Sequence, residues 1–208
     1  MRCENTVMLL EVSGSDLSHA RAAWASTNQE LTEDNMERIP DLLSFLAKNK
    51  HETPFEHSLL SFRVQSDIAT HIQFLKHRIG ISINSESARY KELKRDSYYI
   101  PEDWPEDVSA RSEQVIRQAQ KEYHSVIRDL QDAGIPRSRA KESARFLLPY
   151  ANQIRFVVTF NFRSFVHFQI LRNSDHAQLE IKNIAKEMLD LIVSNGRFDL
   201  SLKAHELH

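Results

Sequence analysis

Apolar positions recur along this chain with two different periods, and the switches between them divide it into elements. Over residues 58–65, Leu60, Phe62 and Val64 alternate with Ser61, Arg63 and Gln65. That alternation puts one set on each face and predicts a half-buried strand. Residues 153–162, QIRFVVTFNF, are rich in β-branched and aromatic side chains and predict a second strand. Elsewhere the spacing is helical. Helices are predicted over residues 16–26 (DLSHARAAWAS) and 32–50, the latter with Leu42, Leu43 and Leu46 on one face. Pro40 falls near the first turn of that helix or marks its true start. Residues 67–78 carry Ile68, Ile72 and Leu75 as a stripe and deliver Lys76, His77 and Arg78 at the end, where cations suit the helix dipole. After a loop punctuated by Pro101 and Pro105, residues 106–133 predict a long polar helix stopped by Gly134 and Pro136. Further helices are predicted over 138–148, ending at Pro149, over 164–171, and over 176–194. The last has Ile181, Ile184, Ala185, Met188, Leu189 and Ile192 as its stripe and Gly196 as its C-cap. The expected fold is α+β: a small antiparallel sheet covered by many helices, in a single domain over residues 1–208.

Composition narrows the function. The chain has 208 residues, 41% hydrophobic and 27% charged, in keeping with one soluble domain that has a real core. A net charge of −2 gives no footprint for nucleic acid or an anionic membrane. The start, MRCENTVMLLEV, lacks the pattern of a signal peptide, and no run approaches the ~18 apolar residues of a membrane span. The lone Cys3 excludes an intramolecular disulfide and fits a reducing, cytoplasmic compartment. Being terminal, it is also a poor place for a catalytic thiolate. The only glycines are Gly14, Gly80, Gly134 and Gly196, from which neither GxGxxG nor GxxxxGK[ST] can be built. Phosphates would therefore have to be held by side-chain cations and helix N-termini.

Residues 76–90, KHRIGISINSESARY, set three cationic side chains together and follow them with small, polar and β-branched residues. Such a run is poor core material and can hold more than one anionic group at fixed separation. His51-Glu52-Thr53-Pro54-Phe55-Glu56-His57 lies between a helix and a strand. Thr53 and Glu56 fit a capping box, but His51 and His57 are unexplained by capping. The spacing is not H-E-x-x-H, so no metal site is expected. Arg163 and His167 lie one helical turn apart after the second strand, beside Asn161. Arg172 and His176 flank a polar break, and Arg155 is the odd cation in an apolar strand, needing a partner if buried. Taken singly, each of these residues has an ordinary structural reading.

Taken together and in this order, they resemble the flavin-dependent thymidylate synthases. HETPFEH is that family's motif as it stands. Lys76-His77-Arg78 through Ser87-Ala88-Arg89-Tyr90 looks like its signature loop, Arg-His-Arg followed after seven or eight residues by Ser. Tyr99-Ile100-Pro101, Ala144-Arg145 to Pro149, Asn161-Phe162-Arg163-Ser164 and Leu171-Arg172 with His176-Ala177-Gln178 match the remaining segments. The likeness covers roughly residues 15–195.

The resemblance implies methylation of the uracil ring of dUMP to dTMP, with methylenetetrahydrofolate as carbon donor and FAD reduced by NADPH as hydride source. It implies a homotetramer whose active sites are shared among subunits, and no protein thiol. It makes Arg172 the residue that polarises the uracil imide and places His51 near the flavin face, where folate enters. Thr53, His77, Arg78, Asn161 and His167 would contact FAD, with Ser26, Glu56, Arg163, Lys76, Asn84 and Glu86 as further cofactor contacts. Gln73, Lys76, Ser85, Glu86, Ser87, Ala88, Arg89, Arg145 and Arg172 would hold the nucleotide, Arg89 and Arg145 at its phosphate.

The chain also departs from the family pattern. Lys76 replaces the first Arg of the signature, keeping the charge but losing the bidentate fork. Eight residues separate Arg78 from Ser87, and Asn84, Ser85, Glu86 stand where the family commonly has Asn followed by Glu. Either Glu86 takes the acidic role through an altered loop path or Ser85 stands in for it. These changes fall around the nucleotide, so UMP or another pyrimidine nucleotide is the alternative substrate, as in relatives from nucleoside-antibiotic pathways. A catalytically weak flavin- or nucleotide-binding relative is the other alternative.

Overall fold

The computed structural model describes residues 1–27, 30–93 and 95–207. Its strands are β1 (Thr6–Ser13), β2 (Leu59–Asp67), β3 (Ile81–Ser85) and β4 (Gln153–Asn161), in the sheet order β1-β2-β4-β3. The α-helices are α1 (Asp16–Ala25), α2 (Ile39–Lys48), α3 (Ile68–Phe74), α4 (Glu106–Asp132), α5 (Arg137–Ala144), α6 (Phe162–Arg172), α7 (Leu179–Asn195) and α8 (Asp199–Ala204). The cross-strand bonds show antiparallel pairing. Ser61 meets Thr159 and Gln65 meets Gln153 between β2 and β4. The Asn161 amide donates to Gly80 O and the Glu86 amide to Arg155 O beside β3 and β4. The α+β expectation therefore holds.

The chain divides into two compact units. The first comprises Met1–Thr6, Gln65–Phe74 and Ser85–Phe156. Its core joins Tyr123 and Ile127 of α4 to Ala140 and Ala144 of α5, with Leu93 and Ile154. Ser109, Ile116, Gln120, Tyr123 and Ile127 are the buried residues of α4, one narrow stripe along 27 residues. That stripe explains how so polar a sequence makes a stable helix.

The second unit comprises Val7–Val64, Leu75–Asn84 and Val157–His208. Phe55, Phe62, Phe160, Phe162, Phe165, Phe168 and Phe198 are almost wholly buried in it, and the expected stripe of α7 is buried too. Gly196 ends α7 with φ +72, as its C-cap role requires. The C-terminal helix α8 is fastened by a buried polar chain. Asp16 accepts from the Leu200 and Ser201 amides at 2.9 and 2.8 Å and from the Ser201 hydroxyl. Ser201 Oγ meets His19 Nδ1, and His19 Nε2 meets Ser58 Oγ, both at 2.8 Å.

Several elements differ from expectation, α8 among them, since no helix was predicted after Gly196. β1 was not anticipated, because its run Val7-Met8-Leu9-Leu10 hides the alternation and, as an edge strand, it buries no residue fully. β3 lies inside the segment read as a binding loop. The helix expected over residues 32–50 is a 3-10 helix, Glu33–Arg38, followed by α2, with Pro40 in the first turn of α2. The helix expected over 67–78 is only α3, and it buries Thr70, His71 and Phe74, while Leu75 is exposed. β2 runs on to Asp67, whose Oδ1 accepts from the Thr70 amide at 2.8 Å and caps the start of α3. Lys76, His77 and Arg78 thus lie beyond the helix, and its dipole does not explain them.

Candidate active site

Residues 76–80 leave α3 and are pinned to the N-terminus of α6. Asn161 caps α6 by accepting from the Ser164 amide at 2.8 Å. Ser164 Oγ donates to Ile79 O at 2.7 Å, and the Asn161 amide donates to Gly80 O at 3.0 Å. Gly80 has φ +65, and a Cβ there would lie 2.5 Å from Asn161 Nδ2 and against Ser164 Oγ. Glycine is required twice over, by backbone conformation and by space.

This clamp forms one wall of a cleft of about 720 Å³ in the second unit. Its apolar lining is Ile79, Ile81, Val166, Ile170 and Leu171; its cations are Lys50, Lys76, Arg78, Arg163 and Arg172; Glu52, Glu56, His77, Ser164 and His167 complete it. Two contacts order the polar groups. Arg163 Nη1 donates to Glu56 Oε1 at 2.6 Å. Glu56 is thus a partner for Arg163 rather than part of a capping box: the 3-10 helix Thr53–Glu56 has Glu52 at its N-cap and no side-chain cap. Arg172 Nε donates to His77 Nε2 at 3.0 Å. His77 Nε2 therefore carries the lone pair, with the ring proton on Nδ1. The ring packs edge-on against Phe168 at 5.1 Å. Burial, then the Arg172 guanidinium and His167, push the His77 pKa down to about 4.

Of the expected flavin contacts, the cleft gathers Glu56, Lys76, His77, Arg78, Arg163 and His167, and with them Arg172. Thr53, Asn84 and Ser26 do not line it, and Asn161 serves it as the α6 cap. Ser26 donates to Ala23 O at the end of α1. His51 lies outside the lining and packs edge-on against Phe45 at 6.0 Å. Lys50 is a residue the sequence did not reveal: it lines the cleft with φ +60, unusual for a residue with a side chain.

The expected nucleotide contacts Gln73, Ser85, Glu86, Ser87, Ala88, Arg89 and Arg145 belong to the first unit. There, residues 86–93, 95 and 96 are held largely by charge. Glu86 accepts from Arg95 Nη2 at 3.2 and 3.0 Å. Arg89 pairs with Glu142 of α5 at 2.9 Å, and Lys141 donates to Tyr90 O at 2.9 Å. Arg137 donates to Glu92 at 2.7 Å, while His124 bridges Glu92 and Asp96, each at 2.9 Å. Burial alone would lower the His124 pKa, but its hydrogen bonds to the two carboxylates outweigh this and raise it. Arg145 follows α5 in the 3-10 helix Arg145–Leu147. Arg155 is exposed, and its Nε donates to Gln65 Oε1 at 2.8 Å. Among the described residues, no group of three His, Cys, Asp or Glu side chains could hold a metal, and no helix is long and apolar enough to cross a membrane.

A cleft with aliphatic walls and a cationic rim suits an anionic cofactor with a flat ring. The family model described as thymidylate synthase complementing protein matches residues 8–195. The flavin-dependent thymidylate synthase of Thermotoga neapolitana is 37% identical over 186 residues, covering 86% of this chain and 81% of that protein. That of Thermosipho melanesiensis is 32% identical over 192 residues, covering 85% and 80%. The chain belongs to the flavin-dependent thymidylate synthase family. Among solved structures, the UMP/dUMP methylase PolB from Streptomyces cacaoi, bound with 5-Br dUMP, superposes with a TM-score of 0.75 at 30% identity. That match covers 98% of this chain and 95% of the PolB chain. The PolB structure with 5-Br UMP gives a TM-score of 0.74 at 28% identity.

Proposed function

We propose that the protein methylates the uracil ring of dUMP to give dTMP, using methylenetetrahydrofolate as carbon donor and NADPH-reduced FAD as hydride source. The observation that carries this reading is the Arg172–His77 contact inside the cleft, in a chain whose match to the family spans both residues. The residues present fit the flavin. Ile79, Ile81, Val166, Ile170 and Leu171 offer an apolar bed, and Lys76, Arg78 and Arg163 offer charge for its phosphates. When bound, FAD supplies the hydride chemistry that no side chain here can perform.

Arg172 is a fixed cation for negative charge developing on the uracil imide. His77, neutral near pH 7 because its pKa is pushed down to about 4, accepts from Arg172 Nε and orients the guanidinium. Arg89 and Arg145 hold the nucleotide phosphate, and His51 guides the folate. Both units belong to one catalytic domain, and four copies share their active sites. The protein works in the cytoplasm.

A second reading, the same chemistry on UMP, is favoured by the structural likeness to a UMP/dUMP methylase and by the altered residues around Ser85. The test is a visible spectrum of the purified protein, followed by addition of dUMP or UMP in separate titrations. A flavin band perturbed by one nucleotide supports the reading and names the substrate. A colourless protein that takes up neither FAD nor nucleotide overturns it.

A further inference from the structure

Ser85 and Glu86 stand side by side at the end of β3, and each has a defined partner in the first unit. The Glu86 carboxylate faces Arg95 at 3.0 Å and the Arg155 amide at 3.4 Å, while its own amide donates to Arg155 O at 2.8 Å. It is a structural anion. The Ser85 hydroxyl instead meets Nε2 of His71, from α3, at 2.7 Å. His71 is buried, its ring set edge-on to Phe156 at 4.7 Å, so the imidazole has little freedom to turn. Burial also lowers its pKa and keeps it neutral.

We propose that His71 is a positioning residue for nucleotide recognition. It fixes the direction of the Ser85 hydroxyl, and this neutral pair meets a sugar hydroxyl of the nucleotide in place of a carboxylate. The inference rests on the proposed function, together with the family resemblance that implies nucleotide contacts at residues 85–89. A hydroxyl has one donor and two acceptor sites, and the bond to His71 consumes one of them. What remains can bond an uncharged hydroxyl, whereas a phosphate would seek Arg89 and Arg145. A neutral pair avoids adding a negative charge beside those arginines, and a carboxylate would add one.

The test is steady-state kinetics with dUMP and UMP for the wild type, His71→Phe, His71→Gln, Ser85→Ala and the His71→Phe/Ser85→Ala double variant. Phe keeps the ring contact with Phe156 and deletes the hydrogen bond; Gln restores a polar group at the Nε2 position. Loss of one such bond is expected to raise the nucleotide KM about tenfold in His71→Phe and Ser85→Ala. The kcat should stay within about twofold and the flavin spectrum should be unchanged. His71→Gln should recover most of the loss, and the double variant should be no worse than Ser85→Ala. An unchanged KM in Ser85→Ala, multiplicative losses in the double variant, or failure of Gln to rescue would each overturn the inference while the function stands. If His71→Phe does not fold, Ser85→Ala and His71→Gln still decide it. A wild type that turns over neither nucleotide overturns both.

Discussion

Arg172 Nε–H points at the lone pair of His77 Nε2 at 3.0 Å, so a permanent cation and a neutral imidazole share one wall of the cleft. The arrangement fixes the plane of the guanidinium while leaving its charge uncompensated by His77. Arg172→Ala should cut methylation by about 10²–10³-fold, the size of losing one preorganised electrostatic group. Flavin content, read from the visible spectrum, should be retained. Equal loss of flavin and activity would contradict the role assigned to Arg172.

The same contact gives a pH dependence with a definite sign. His77 has a folded pKa of about 4, below its ordinary 6.5, so the unfolded chain takes up the proton first as pH falls. The contribution of neutral His77 is present above about pH 6.5 and is lost as pH falls towards 4. Below that, His77 is charged and can no longer accept from Arg172. Melting temperatures of wild type and His77→Gln should converge as pH falls from 7 to 4. Parallel curves would show that His77 is not held neutral.

Gly80→Ala should be costly in a way that Gly196→Ala is not. Both residues have positive φ, worth about 1–2 kcal/mol against alanine. Only Gly80 would also press a Cβ into Asn161 and Ser164, whereas nothing lies within 4 Å of one at Gly196. The Gly80 variant should melt lower and lose flavin, since the clamp on residues 76–80 opens. Equal melting temperatures for the two variants would remove the clamp from the account.

Ser201→Ala deletes the hinge of the buried chain that runs from Asp16 to Ser58. It leaves Asp16 and His19 each short of a partner, a cost of about 1–3 kcal/mol. Denaturant unfolding should show this loss, while the exposed Ser194→Ala should change little. A Ser201→Ala protein as stable as wild type would mean the chain does not fasten α8.

Sequence patterning revealed the helices whose stripes face a single core, such as α7, and the strands β2 and β4. It did not reveal β1, whose edge position leaves alternate residues only half-covered, nor the buried face of α3, made by Thr70, His71 and Phe74. The residues of the cleft were legible because they sit in short, ordered motifs that resemble a known family. Glu142, His71, His124 and Lys50 were not. Glu142 pairs with Arg89 and His71 with Ser85, contacts that only the fold creates, and Lys50 is notable for a backbone angle that no composition rule exposes.

The central claim is that this protein removes the hydrogen at uracil carbon 5 and replaces it with a methyl group. Tritium release from 5-tritiated dUMP, with FAD, NADPH and methylenetetrahydrofolate supplied, tests it most directly. The account predicts release that requires all three and that nearly vanishes in Arg172→Ala. A flavin-loaded protein that releases no tritium from either dUMP or UMP would contradict it.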